Sequence, residues 1–127
     1  MNGNPIIPPP VNEPVLTYAP GTRERADLKA ELDAQSSIVV DIPLVIGGQE
    51  IRTGTTTNIV MPHKHSHVLG TTHQAGSEEI GQAIEAATTA HQEWSTTRWE
   101  DRAAIFMRAA DLLAGPWRQK LNAATML

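Results

Sequence analysis

Residues Ile42–Gly54 read IPLVIGGQEIRTG, and the reading of this stretch sets the architecture. Apolar Leu44, Val45 and Ile46 run into Gly47 and Gly48, and the chain resumes through Glu50, Ile51 and Arg52. A Gly-Gly pair supplies the positive φ values that tight hairpin turns need. The stretch therefore predicts a β-hairpin. It is not a phosphate loop, because no GxGxxG or Walker pattern carries the glycines into a helix.

Beyond Gly54, a threonine run and Asn58–Pro62 (NIVMP) predict another strand, ended by Pro62. Met61–Gly76, MPHKHSHVLGTTHQAG, then holds four of the five histidines. If this stretch were an extended strand, His63, His65 and His67 would share one face, since side chains alternate with period two. Three imidazoles there, with His73 as a fourth, suit zinc or copper. Against a metal stand Pro62 and Lys64, which favour a turn. No carboxylate lies between Glu50 and Glu78 to orient an imidazole. The residues favour a solvated turn leading into a short strand with loop ends, and no metal ligand is assigned.

From Ser77 the period changes. Ile80, Ala83, Ile84, Ala87, His91 and Trp94 follow helical spacing, with Ser77 as the expected cap and Glu78 and Glu79 in the first turn, where the helix dipole favours acids. A second helix is predicted from Thr97, whose spacing to Glu100 makes a capping box. It carries Ala103, Ile105, Phe106, Ala109, Ala110, Leu112 and Leu113 to a stop at Gly115. Pro116 suits the first turn of a third helix containing Trp117, Leu121, Ala124 and Met126. That helix meets no stop signal before Leu127, so the domain reads as truncated there.

Working the other way, Thr22–Ala34 predicts a short, highly charged helix, capped by Thr22 and solvated on most sides. Six of the nine prolines fall in residues 1–20 and make that segment an extended arm. Residues 21–127 then form a single unit. Of the five aromatic residues only Tyr18 lies outside the last third, so Trp94, Trp99, Phe106 and Trp117 weight the packing there.

Composition removes several function classes. A net charge of −4, with acids and bases interleaved, offers no basic stripe for nucleic acid. No apolar run approaches the roughly 18 residues of a membrane span, and the N-terminus lacks the marks of a secretory leader or transit peptide. The chain holds no cysteine, which removes disulfides and thiolate chemistry and fits a reducing, cytoplasmic setting. The acid pairs Glu78-Glu79 and Glu100-Asp101 sit in helix first turns, where the dipole accounts for them. Trp94 and Trp99 read as core plugs, and Arg102 and Arg108 as partners in helix-surface ion pairs with Glu100, Asp101 or Asp111. No serine lies in a Gly-x-Ser-x-Gly elbow. Taken residue by residue, the chain offers no catalytic, cofactor-binding or metal residue.

The order of elements resembles the opening of the NAD(P)-dependent aldehyde dehydrogenase superfamily. The resemblance is carried by the Gly-Gly hairpin at Ile46–Glu50, the PHKHSHVLG segment at Pro62–Gly70 and the helical pair at Ala83–Leu113. VNEPVLTYAPGTRERADLKAEL, before the hairpin, and RAAIFMRAADLLAGPWRQKLNAATML are similar to the 1-pyrroline-5-carboxylate dehydrogenase branch. The resemblance runs from about Val11 to Leu127. It implies an α/β fold, of which this chain is an incomplete N-terminal segment. It also implies that the histidines are loop residues and that the complete enzyme uses NAD, and Met1 just ahead of the arm leads to the expectation of a monofunctional form. In that enzyme a cysteine thiolate attacks a small-molecule aldehyde, hydride passes to NAD, and a glutamate activates the water that releases the acid. A homo-oligomer is further implied. None of those catalytic or cofactor motifs matches a position here, so the chain alone is expected to be inactive. Two other readings stay open at this point: another member of the superfamily, and a non-catalytic interaction module.

Overall fold

The computed structural model describes residue 6 and residues 8–127. The parts of the expected arm at residues 1–5 and 7 lie outside the described residues. In chain order come α1 (Arg23–Ser36), β1 (Val40–Ile42), β2 (Leu44–Ile46), β3 (Gln49–Ile51), β4 (Thr56–Met61), β5 (Lys64–His73), α2 (Ser77–Thr96), α3 (Trp99–Ala114) and α4 (Arg118–Met126).

The hairpin forms where the glycines predict it. β2 and β3 pair antiparallel with Ile46 opposite Gln49, and Gly47 and Gly48 turn the chain at φ 57° and 78°. Left-handed values at two successive residues match the twist of the flanking strands, and side chains with a Cβ resist them.

A second sheet has the order β1-β5-β4. β4 runs antiparallel to β5, while β1 runs parallel to it, with Val40 opposite Gly70. β1 has no counterpart among the sequence expectations, because three residues are too few to display a period. Its pairing depends on Gly70, where a Cβ would stand 2.7 Å from the Val40 carbonyl oxygen.

The tightest packing joins the two ends of the chain. Ala123 of α4 is fully buried where α4 lies against α1. Gln35 donates to the Lys120 carbonyl at 2.9 Å. The Tyr18 hydroxyl donates to Gln119 Oε1 and accepts from Asn122 Nδ2, both at 3.1 Å. Arg118 donates to the Pro14 carbonyl at 2.9 Å, which ties the arm to α4. As expected, α1 is solvated on most sides and buries none of its residues; the sequence did not indicate what its remaining side meets. Its narrow apolar face meets a helix some 85 residues away in sequence, and local periodicity does not report such a partner.

Helix ends also differ from expectation. Gly76, not Ser77, is the N-cap of α2, and its N–H is taken by Glu79 Oε2 at 2.7 Å. Thr97 does not cap α3. Its hydroxyl donates back to the Glu93 carbonyl at 3.1 Å and closes the end of α2, leaving Arg98 as the N-cap of α3. A free helix C-terminus offers unsatisfied carbonyls, and the threonine sits within reach of one. Gly115 ends α3 at φ −105°, without the left-handed turn. α4 starts at Arg118, two residues after Pro116.

The expected helical pair is not packed as a pair. α2 approaches the rest of the chain mainly at β2, and α3 mainly at α4. Ala83, Ala86, Ala87 and Ala90 line a shallow gap beside the hairpin turn, and their small side chains permit the close approach. Ile80, Ile84 and Trp94 stay exposed, as do Trp99 and Leu113, and Phe106 is 69% exposed. The tryptophans read as core plugs are thus not buried within this chain.

Candidate functional site

A polar cluster gathers residues from three separate segments. Asp41 lies in β1, Arg52 just after β3 and His73 at the end of β5. Arg52 Nε donates to Asp41 Oδ2 at 2.7 Å, and Arg52 Nη1 donates to Glu50 Oε2 at 3.0 Å. His73 Nε2 lies 3.2 Å from Asp41 Oδ1. On the other side of the ring, the Gly54 backbone N–H donates to Nδ1 at 3.2 Å. Because Nδ1 accepts, Nε2 carries the proton and donates it to Asp41. The bond to the Arg52 guanidinium is the chief reason the Asp41 carboxyl titrates below the usual carboxylate range. The same bond raises Arg52.

An Asp–His pair invites a general-base reading, and the geometry answers it. A base needs a free lone pair within reach of a proton. His73 has none: one ring nitrogen holds its hydrogen against Asp41 and the other is occupied by Gly54. The cluster instead ties the β2–β3 hairpin to the β1-β5-β4 sheet. A carboxylate does orient an imidazole here, from β1. It lies outside Glu50–Glu78 because the parallel pairing of β1 with β5 brings Asp41 alongside Thr71.

The four neighbouring histidines separate. Only His63 occupies the two-residue turn after β4. Val60 pairs with Val68 and Met61 with Lys64, which leaves His65, Ser66 and His67 bulged without partners on β4. The stretch is therefore neither the regular strand that would align three rings nor the solvated turn expected instead. His67 Nε2 lies 2.8 Å from the Ser36 carbonyl and donates to this otherwise orphaned group at the end of α1. Among the described residues no three His, Cys, Asp or Glu side chains converge as metal ligands.

The acidic pairs behave as helix-end residues. Glu79 binds the Gly76 amide, and Asp101 accepts two bonds from Arg98, at 3.0 and 3.2 Å. The α3 ion pair thus uses Arg98, in place of the Arg102 and Arg108 that helical spacing suggested. Asp101 is held below, and Arg98 above, its ordinary range by that contact.

These residues do not fit a dinucleotide. The strand-to-helix turn between β5 and α2 has its first amide already bound to the Glu79 carboxylate, which repels a pyrophosphate. A groove of about 540 Å³ lies between α1, α4 and the three-stranded sheet. It is lined chiefly by apolar side chains, with Glu31, Gln35 and Lys120 as its polar members.

Comparison with known proteins places this geometry. The profile of the aldehyde dehydrogenase family matches residues 50–126. The delta-1-pyrroline-5-carboxylate dehydrogenase of Agaricus bisporus is 48% identical over 122 residues, which cover 95% of this chain and 22% of that protein. The mitochondrial delta-1-pyrroline-5-carboxylate dehydrogenase of Dictyostelium discoideum is 40% identical, with the same coverage. The NAD-bound structure of the delta-pyrroline-5-carboxylate dehydrogenase from Mycobacterium tuberculosis superposes with a TM-score of 0.95 at 44% identity. The superposition covers all of this chain and 24% of that one. The chain therefore spans about a fifth of the length of these curated relatives.

Proposed function

The chain belongs to the aldehyde dehydrogenase family and has the α/β fold of an N-terminal segment of that family, and on that premise we propose that it serves a 1-pyrroline-5-carboxylate dehydrogenase. The complete enzyme oxidises the open form of its substrate, glutamate γ-semialdehyde, to glutamate with NAD, in the breakdown of proline. The single observation that carries this reading is the superposition at 0.95 over the whole chain, with 44% identity. Identity of 48% to the Agaricus protein supports the same branch.

Within that enzyme these residues supply framework. The Asp41–Arg52–His73 clamp fixes the hairpin to the sheet, and His67 closes the end of α1. The 127 residues hold no cysteine, and among the described residues the β5–α2 turn has its first amide bound to Glu79, so the thiolate step and hydride transfer to NAD are assigned to residues outside them. A homo-oligomer completes the reading by family resemblance, and the cysteine-free composition supports a reducing, cytoplasmic setting. Several relatives carry a mitochondrial designation, and cell fractionation with an antibody to this chain distinguishes the two compartments.

The test is a chimera in which this chain replaces the matched quarter of the M. tuberculosis enzyme. NAD reduction dependent on 1-pyrroline-5-carboxylate is expected. A folded chimera that binds NAD yet leaves this substrate untouched, while oxidising a simple aliphatic aldehyde, sinks the substrate assignment and leaves the family.

A further inference from the structure

The two ring nitrogens of His73 hold two different pieces of the fold. Nδ1 accepts the Gly54 backbone N–H at 3.2 Å, and Nε2 lies 3.2 Å from Asp41 Oδ1 in β1. The side chain is only 9% exposed, which leaves little room for water to replace either partner.

This arrangement suits one protonation state. A neutral imidazole donates at one nitrogen and accepts at the other, whereas an imidazolium donates at both. A second proton preserves the bond from Nε2 to the Asp41 carboxylate and strengthens it by charge. At Nδ1 the same proton sets one N–H against another, and one of the two groups must leave. The ring is kept in place by its ion pair. Gly54 is exposed, so its amide can turn to water, and the turn is the part that yields.

The charged groups around the ring come from the β1 and hairpin side. Asp41 stands in β1, and Arg52 bonds both Asp41 and Glu50. Two carboxylates and one guanidinium leave a net negative charge, which an imidazolium balances. β4, which sets Thr56 opposite His73, has no titratable residue. Towards α2, the Glu79 carboxylate is engaged by the Gly76 amide. Uncharged bonds keep the turn from leaving altogether. Thr53 Oγ1 donates to the Gln74 carbonyl at 2.9 Å, and the Gln74 N–H donates to the Thr55 carbonyl at 2.8 Å. Neither contains a group that changes charge between about pH 5 and pH 8, where imidazoles do.

We propose that His73 is a pH-operated latch on the Thr53–Thr55 turn: its neutral ring holds the Gly54 amide, and a second proton releases that amide while the ring stays on Asp41. The turn lies between β3 and β4, so the latch sets how tightly the β2–β3 hairpin is tied to the three-stranded sheet. In acid the hairpin keeps its Arg52–Asp41 contact and loses the one through Gly54. The device uses residues of this chain alone and depends on neither the substrate nor NAD.

Hydrogen exchange resolved to single residues by mass spectrometry tests the latch in the full-length chimera with the M. tuberculosis enzyme. Protection is expressed relative to an unstructured peptide at each pH, so the intrinsic pH dependence cancels. From about pH 8 to about pH 5.5 the Gly54 amide should lose roughly tenfold in protection, while the Gln74 amide keeps its own. Unchanged protection at Gly54 overturns the latch. So does a parallel loss at Gln74, because the sheet edge itself has then opened. His73→Gln keeps a donor for Asp41 without an acceptor for Gly54, and its Gly54 amide should be unprotected at every pH. His73→Asn offers an acceptor near the Nδ1 position and does not titrate, so its Gly54 amide should stay protected throughout. An acid loss in His73→Asn equal to the native one puts the proton on another group and sinks the assignment. The native protein supplies a check that needs no variant. Ring-nitrogen NMR shifts should show Nδ1 without a proton at the alkaline end, and the ring's titration should share its midpoint with the Gly54 loss. A protonated Nδ1 at the alkaline end, or separate midpoints, defeats the proposal. No readout involves turnover, so failure of the substrate assignment is distinguishable from failure of the latch.

Discussion

Residues 40–73 and residues 77–114 occupy similar lengths of chain and meet their physical needs in opposite ways. The first region satisfies itself. Its strands pair in two sheets, and the Asp41–Arg52–His73 clamp joins them through bonds of 2.7 and 3.2 Å. The second region is two long helices whose backbone is satisfied internally, and whose large apolar side chains face outward. Hydrogen bonds saturate over short distances, so a small piece of chain can complete them. Burial of Ile84, Phe106 or Leu113 needs a second surface of comparable size, and helices of this length draw most of their stability from such packing. A piece of a larger fold can therefore be complete in polar terms and incomplete in apolar ones.

The sharpest way to break this contrast is Phe106→Ala. In the lone chain, with Phe106 mostly exposed, the loss should stay below about 0.5 kcal/mol. In the chimera, if the site is buried there, it should reach about 3–5 kcal/mol. Urea denaturation of both measures the gap, and equal values would erase the distinction between the regions. Next in size, Gly70→Ala forces a Cβ against the Val40 carbonyl and should cost the lone chain about 1–3 kcal/mol, with faster amide exchange in β1. No loss would mean that β1 is not held by that approach. Gly48→Ala, at a φ of 78°, should cost about 1–2 kcal/mol. Asp41→Asn is the smallest. The folded carboxyl titrates below its unfolded value, so its contribution is full above about pH 4 and is lost as pH falls through the folded value. The native chain should therefore lose urea resistance in that acid range, and Asp41→Asn should flatten the dependence. An unchanged acid limb in the variant would remove the clamp from the account of the first region.

Legibility followed the range of the interactions. The Gly47-Gly48 turn, the strand before Pro62 and the two central helices were readable because each is set by neighbours within a few residues. The same locality misled at the helix ends. Ser77 and Thr97 have good capping chemistry, but Gly76 and Arg98 hold the cap positions, and Thr97 serves the preceding helix instead. The histidines show the limit most plainly. Period two aligned three of them on paper, and a bulge opposite Val60 and Met61 dispersed them. His67 and His73 then found partners on α1 and β1, about thirty residues away in each case.

By itself, the chain's order of residues determined the Gly47-Gly48 hairpin, the strand before Pro62 and the helical segments, and its motifs pointed to the aldehyde dehydrogenase family. Only the tertiary structure decided that β1 joins β5 in parallel, that Asp41 engages His73, and that the apolar faces of α2 and α3 are left open. The reason is physical. Local conformation depends on torsions and neighbours a few residues apart, whereas pairing, ion contacts and burial depend on which distant surfaces the fold brings within a few ångströms.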